Sequence, residues 1–137
     1  METTDIADDR PEVWIPLRPE EDVLAEAATI DSTLPLAGLL AAVKGNIDVA
    51  GLPTTAGAPS YAYTPAADAT AVARLRAAGA LVLGTTNLDQ FATGLVGTRS
   101  PYGAVRNAFD PTRISGGSSS GSAVAVALGL VDLALGT

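Results

Sequence analysis

Histidine and cysteine are both absent from the 137 residues, and lysine occurs once, as Lys44. Without imidazole there is no Ser-His-Asp triad, and without a thiol there is no thiolate nucleophile, disulfide or cysteine-bound zinc. A general base must therefore be a carboxylate or Lys44. Positive charge is scarce throughout: eight Lys and Arg stand against fifteen Asp and Glu, for a net charge of −7. That balance is the reverse of a surface that neutralises phosphates, so nucleic acid is excluded as an expected partner. Long apolar runs are also missing. The longest, over residues 123–135, is interrupted by Asp132 and falls short of the roughly 20 residues that span a bilayer, so it reads as buried core and no membrane partner is expected. The first ten residues have neither the basic nor the apolar region of a secretory signal, which makes the cytoplasm the expected location.

What is present is globular in kind: 47% hydrophobic and 17% charged residues, with 14 Gly and 9 Pro, in a length that suits one domain. Charge is unevenly placed. Residues 1–31 hold ten carboxylates and two arginines, a net of −8, whereas the rest hold five carboxylates, five arginines and Lys44, a net of +1. The loose acidic start is read as an N-terminal segment, 1–18, ahead of a partial domain over 19–137.

Val23, Leu24, Ala27 and Ile30 recur at helical spacing, and Glu20, Glu21 and Asp22 suit a helix N-terminus, which predicts a helix over 19–31. The apolar run 39–43 reads as a buried strand with Lys44 at its end. Residues 45–60 read as a loop rich in Gly and Pro, with room for a short strand at Ile47 and Val49. Asp68 is placed to cap a helix reaching about Ala78, with Val72 and Leu75 on its apolar face and Gly79 as its stop. A strand over 80–83, a short helix over 88–92, a polar stretch over 93–122, a helix over 123–128 and a strand over 131–135 complete the pattern. Alternating strands and helices predict an α/β fold.

Two features could carry chemistry. Lys44 follows an apolar strand, and burial of an ammonium disfavours its charged form and so makes a base of it; the alternative is a lysine reaching back to solvent. The second is Ser115-Gly116-Gly117-Ser118-Ser119-Ser120-Gly121-Ser122, directly before an apolar helix. Glycines let backbone approach a ligand and amides at a helix start attract an anion or oxyanion, which makes Gly116 and Gly117 candidates for an oxyanion or substrate loop; the alternative is a flexible linker. The Gly-Lys-Ser/Thr ending of a nucleotide-binding loop is missing. A lysine base together with serine hydroxyls supplies the ingredients of a serine hydrolase that needs no histidine.

Lys44-Gly45-Asn46-Ile47-Asp48, Gly84-Thr85-Thr86-Asn87 and Gly116-Gly117-Ser118-Ser119-Ser120-Gly121-Ser122-Ala123 resemble, in order and spacing, the successive motifs of the amidase signature family. The stretches 48–55 and 87–103 are similar to its allophanate hydrolase branch, and the resemblance runs from about Val13 to Thr137. Gly45 stands where the family often has Asp, Leu40 and Ala41 where Pro and an aromatic are frequent, and Thr85 where Lys is common.

The resemblance implies a mixed β-sheet flanked by helices and a Ser-Ser-Lys triad. Lys44 would be the base, and Ser118, or Ser119 if the loop is shifted by one, the bridging serine in a cis peptide. The family's nucleophilic serine lies in a Gly-Thr-Asp-x-(Gly/Ala)-Gly-Ser motif of which Gly136 and Thr137 would be the first two residues. No nucleophile is therefore expected within these residues, and the chain is expected to be an N-terminal, truncated and inactive part of the fold. The implied substrate is a small urea-derived amide such as allophanate, cleaved to ammonia and a carboxylate with no metal or organic cofactor. A complementary chain or a homo-oligomer is a further expectation. The alternatives are a noncatalytic fragment that binds a partner, or another amidase branch such as the amidotransferases that produce amide-charged transfer RNA.

Overall fold

The computed structural model describes residues 10–137. Four strands form one mixed sheet: β1 (Trp14–Leu17), β2 (Leu40–Lys44), β3 (Leu81–Thr86) and β4 (Leu133–Leu135), in the order β1-β3-β2-β4. Strand β2 runs parallel to both β3 and β4, whereas β1 runs antiparallel to β3. Three helices accompany them: α1 (Glu20–Ala27), α2 (Thr70–Ala77) and α3 (Ser120–Ala127). The α/β expectation holds.

The central strands are buried on both faces, as their uninterrupted apolar sequence requires. Side chains alternate along a strand, so Ala42 and Leu83 join Val13, Trp14, Val23, Val105, Val124, Ala125 and Val131 in one core cluster. Their neighbours Val43 and Val82 turn to the opposite face, where they meet Val49 and Val72. Helices α1 and α3 thus cover one side of the sheet and α2 the other.

Several local expectations are corrected. Helix α1 ends at Ala27 rather than near Asp31, because Thr29 donates both its amide (3.0 Å) and its hydroxyl (2.8 Å) to the Glu26 carbonyl and closes the last turn. Its Leu24 is exposed. Asp68 caps nothing: α2 opens from Ala69 without a side-chain cap, and Asp68 instead accepts the Ala50 amide at 2.7 Å. Gly79 does follow the helix in the left-handed region (φ +98), where Gly lacks the penalty of a side chain. No strand forms at Ile47 or Val49, and the expected helix over 88–92 is a single 3-10 turn, Gln90–Ala92.

Helix α3 starts three residues earlier than its apolar sequence suggests. Gly121 packs against backbone, and a Cβ there would lie 2.4 Å from the Val13 carbonyl oxygen. The boundary drawn at residue 18 is corrected as well. Residues 1–9 of the acidic segment lie outside the described residues, but Trp14–Leu17 is a strand of the sheet. It escaped the pattern because it is four residues long and contains Pro16, which is tolerated on a sheet's outer strand.

Candidate active site

The parallel strands β2, β3 and β4 end at the same rim of the sheet, the usual place for a site in α/β folds. Lys44 closes β2 opposite Thr86 of β3, and Val43 pairs with Leu135 of β4, so Gly136 and Thr137 run alongside Lys44. The loop before α3 brings the serines to this rim.

Lys44 is fully buried (0% exposed). It does not reach back to solvent. Its Nζ lies 2.8 Å from Ser118 Oγ and 2.5 Å from Thr137 Oγ1. Burial lowers its pKa from the ordinary 10.5, and the opposing pull of the Asp89 charge does not cancel that shift. The group is moved towards the neutral amine, the form that can accept a proton.

Of the serines, Ser118 faces Lys44. Ser119 turns away, its hydroxyl accepting the Thr137 amide and donating to the Thr137 carbonyl, both at 3.2 Å. The Gly117–Ser118 peptide bond is cis. Gly116 has φ +82, and a Cβ there would meet the Leu95 carbonyl oxygen at an ordinary 3.9 Å, whereas a Cβ on Gly117 would fall 2.3 Å from Asp89 Oδ2. The expectation of open amides at the helix start needs one correction, since the Gly121 amide is donated to the Asn87 carbonyl at 3.0 Å. Ser122 shares a hydrogen bond with Thr86 at 2.7 Å and donates to the Leu135 carbonyl at 2.8 Å, tying α3 to β3 and β4.

Two residues that shape this rim carried no signal in the sequence beyond their place in a motif. Asn87 is buried and uses its whole amide. Its Nδ2 donates to the Glu12 and Gly103 carbonyls, both at 3.0 Å, and its Oδ1 accepts from the Leu88 amide (2.8 Å) and Ser100 Oγ (2.6 Å). Asp89, also buried, accepts the amides of Val96 (3.1 Å), Gly97 (3.0 Å) and Arg99 (3.0 Å). Burial pushes its pKa up, but these three amides and the Arg99 charge outweigh it and hold the carboxyl below its usual 3.8. The signal available was a run of polar residues directly after a buried strand. Among the described residues no group of His, Cys, Asp and Glu is placed to hold a metal ion.

A profile of the Amidase family matches residues 11–137. The chain belongs to that family. It is 57% identical over 129 residues to the urea amidolyase of Saccharomyces cerevisiae, an alignment covering 90% of this chain and 7% of that protein. Against the glutamyl-tRNA(Gln) amidotransferase of Thermus thermophilus, in its A-type subunit, the identity is 53% over 118 residues, covering 85% of this chain and 25% of that one. A solved structure of Kluyveromyces lactis allophanate hydrolase superposes with a TM-score of 0.85 at 54% identity, over 90% of this chain and 21% of that chain. This amidase chain therefore spans a quarter or less of these relatives. No helix among its described residues is long and apolar enough to cross a membrane.

Proposed function

We propose that the chain is the N-terminal part of an amide hydrolase of the allophanate hydrolase type, which converts a urea-derived amide to a carboxylate and ammonia. The observation that carries this reading is the buried Lys44 amine at 2.8 Å from Ser118 Oγ. In the complete site, neutral Lys44 takes the proton of Ser118 as Ser118 takes that of the nucleophilic serine, whose oxygen attacks the amide carbonyl. The proton then returns along the same path to the leaving nitrogen, which departs as ammonia, and water releases the acyl group as carboxylate. Ser118 is preferred to Ser119 as the bridge because Ser119 is engaged with Thr137.

No residue of this sequence matches the nucleophile, so the 137-residue polypeptide alone is proposed to be inactive. A complementary polypeptide carrying that serine would add along β4, the terminal strand of the sheet beside Lys44. The similarity to a glutamyl-tRNA(Gln) amidotransferase keeps that branch as the second reading.

Two assays test this. Ammonia release from allophanate by the polypeptide alone, abolished by Lys44→Ala, would refute the proposed inactivity. In a chimera with the remaining segment of an allophanate hydrolase, turnover is expected, and Lys44→Met or Ser118→Ala should each lower it by at least about 100-fold. Unchanged turnover in either variant would remove that residue from the mechanism. A preference of the chimera for glutamine over allophanate would favour the amidotransferase branch.

A further inference from the structure

Asp89 lies among the loops around the lysine and serine, its carboxylate bonded to backbone amides rather than to either side chain. It follows β3 by three residues. Its own amide donates to the Ser118 carbonyl at 3.1 Å, while its carboxylate gathers the amides of Val96, Gly97 and Arg99. That carboxylate occupies the space a side chain on residue 117 would need, and also crowds Gly94, where a Cβ would lie 2.9 Å from it. Asp89 therefore joins the end of β3 to the 94–99 loop through its carboxylate and to the peptide that bears Ser118 through its backbone amide.

We infer that Asp89 is a positioning residue for the Lys44–Ser118 pair, holding the Ser118 peptide through its backbone amide and fixing a negative charge within the loops that surround the buried amine. The inference rests on the proposed roles of Lys44 and Ser118. A buried carboxylate with three charge-assisted amide bonds is a rigid anchor, and an anion near a buried amine favours its protonated form. Among the described residues, the charge that acts on Lys44 is that of Asp89, opposing the effect of burial. The other groups facing the amine are the hydroxyls of Ser118 and Thr137. Thr86, opposite it on β3, has its hydroxyl bonded to Ser122. Asp89 thus limits how far burial can neutralise the lysine, and so tunes the pH at which the amine can act as a base.

Lys44 is the only lysine, so selective isotope labelling of lysine yields a single side-chain signal for the 137-residue polypeptide. Its titration is expected to fall to a lower midpoint in Asp89→Asn than in the unsubstituted chain, with a change in the Ser118 resonances. A folded Asp89→Asn chain with the same midpoint and unchanged Ser118 signals would overturn the inference. Amide hydrogen exchange on the unsubstituted chain decides the matter if that variant does not fold. Val96, Gly97, Arg99 and Asp89 should then be as protected as β3, and exchange at the rate of a solvated loop would overturn it. The two readings fail separately. An unsubstituted midpoint at 10.5 that still drops in Asp89→Asn would count against Lys44 as the base and leave the positioning role standing. A lowered midpoint insensitive to Asp89 would do the opposite.

Discussion

The sheet and the loops at its rim are held together by different physics. Strands β2 and β3 are fastened by their backbone ladder and by apolar side chains that alternate between two cores, so each residue contributes a modest share. The loops over 87–119 contain one short helical segment and a single antiparallel bridge, Arg106 to Ile114, before α3 begins. Their shape depends on a few buried polar side chains, chiefly Asn87 and Asp89, each satisfying several backbone groups. A distributed core degrades gradually, whereas a polar staple fails all at once, because every partner it abandons remains buried.

Single substitutions can break this contrast. Asn87→Ala should be the most damaging, since it strands the Glu12 and Gly103 carbonyls, the Leu88 amide and the Ser100 hydroxyl. A loss of about 4 kcal/mol or more is expected in denaturant unfolding. Leu83→Ala, in the middle of β3 and 3% exposed, should cost about 3 kcal/mol, a typical value for a buried leucine. If the order were reversed, the loops would owe their shape to packing and not to Asn87.

The same contrast explains how much is legible in the sequence. Runs such as 39–43 and 80–83 announce buried strands, and Val72 followed by Gly79 announces a helix and its stop. Lys44 is visible as a chemical oddity at a strand end, and the resemblance to the amidase motifs, not the glycine-serine run itself, narrows the serines to Ser118 or Ser119. What stays hidden depends on distant partners. Nothing local says that Thr85 and Thr86 continue β3, because their burial comes from β1, β2 and α3 arriving from elsewhere in the chain. Asp68 reads as a helix cap until the Ala50 amide claims it. Asn87 reads as a motif residue and Asp89 as part of a short helix until the loops that converge on them show what each holds.

At the junction of the two regions, Lys44 should reveal itself through pH. Its folded pKa lies below the unfolded 10.5, so the unfolded chain binds more protons between those two values. Stability contributed through this group therefore rises with pH across that window, and is level below the folded pKa and above the unfolded one. Lys44→Met keeps the length of the side chain and removes the titration. The expected result is a flatter stability profile on the alkaline side, with no loss at neutral pH, measured by chemical unfolding at a series of pH values. An identical alkaline rise in the variant would assign it to other groups.

The smallest effect is expected where the rim meets solvent. Arg106 joins the loops to the turn before β1 by pairing with Glu12, Nε to Oε1 at 2.7 Å and Nη2 to Oε2 at 3.1 Å, with the arginine side chain 46% exposed. Partial burial raises the Glu12 pKa, but the hydrogen bonds and charge of Arg106 outweigh it and leave the carboxyl below 4.5. The pair's contribution is thus complete above the unfolded pKa and lost as pH falls through the folded one. Because Arg106 is so exposed, Arg106→Gln should cost less than about 1 kcal/mol at neutral pH, and less again at high salt. The variant should also lose part of the acid sensitivity, so its stability should converge with that of the unsubstituted chain as Glu12 becomes protonated. A cost that persists undiminished in acid would mean that the guanidinium holds the loop by packing and its other contacts, which would make this part of the rim more like the sheet than like the Asn87 staple.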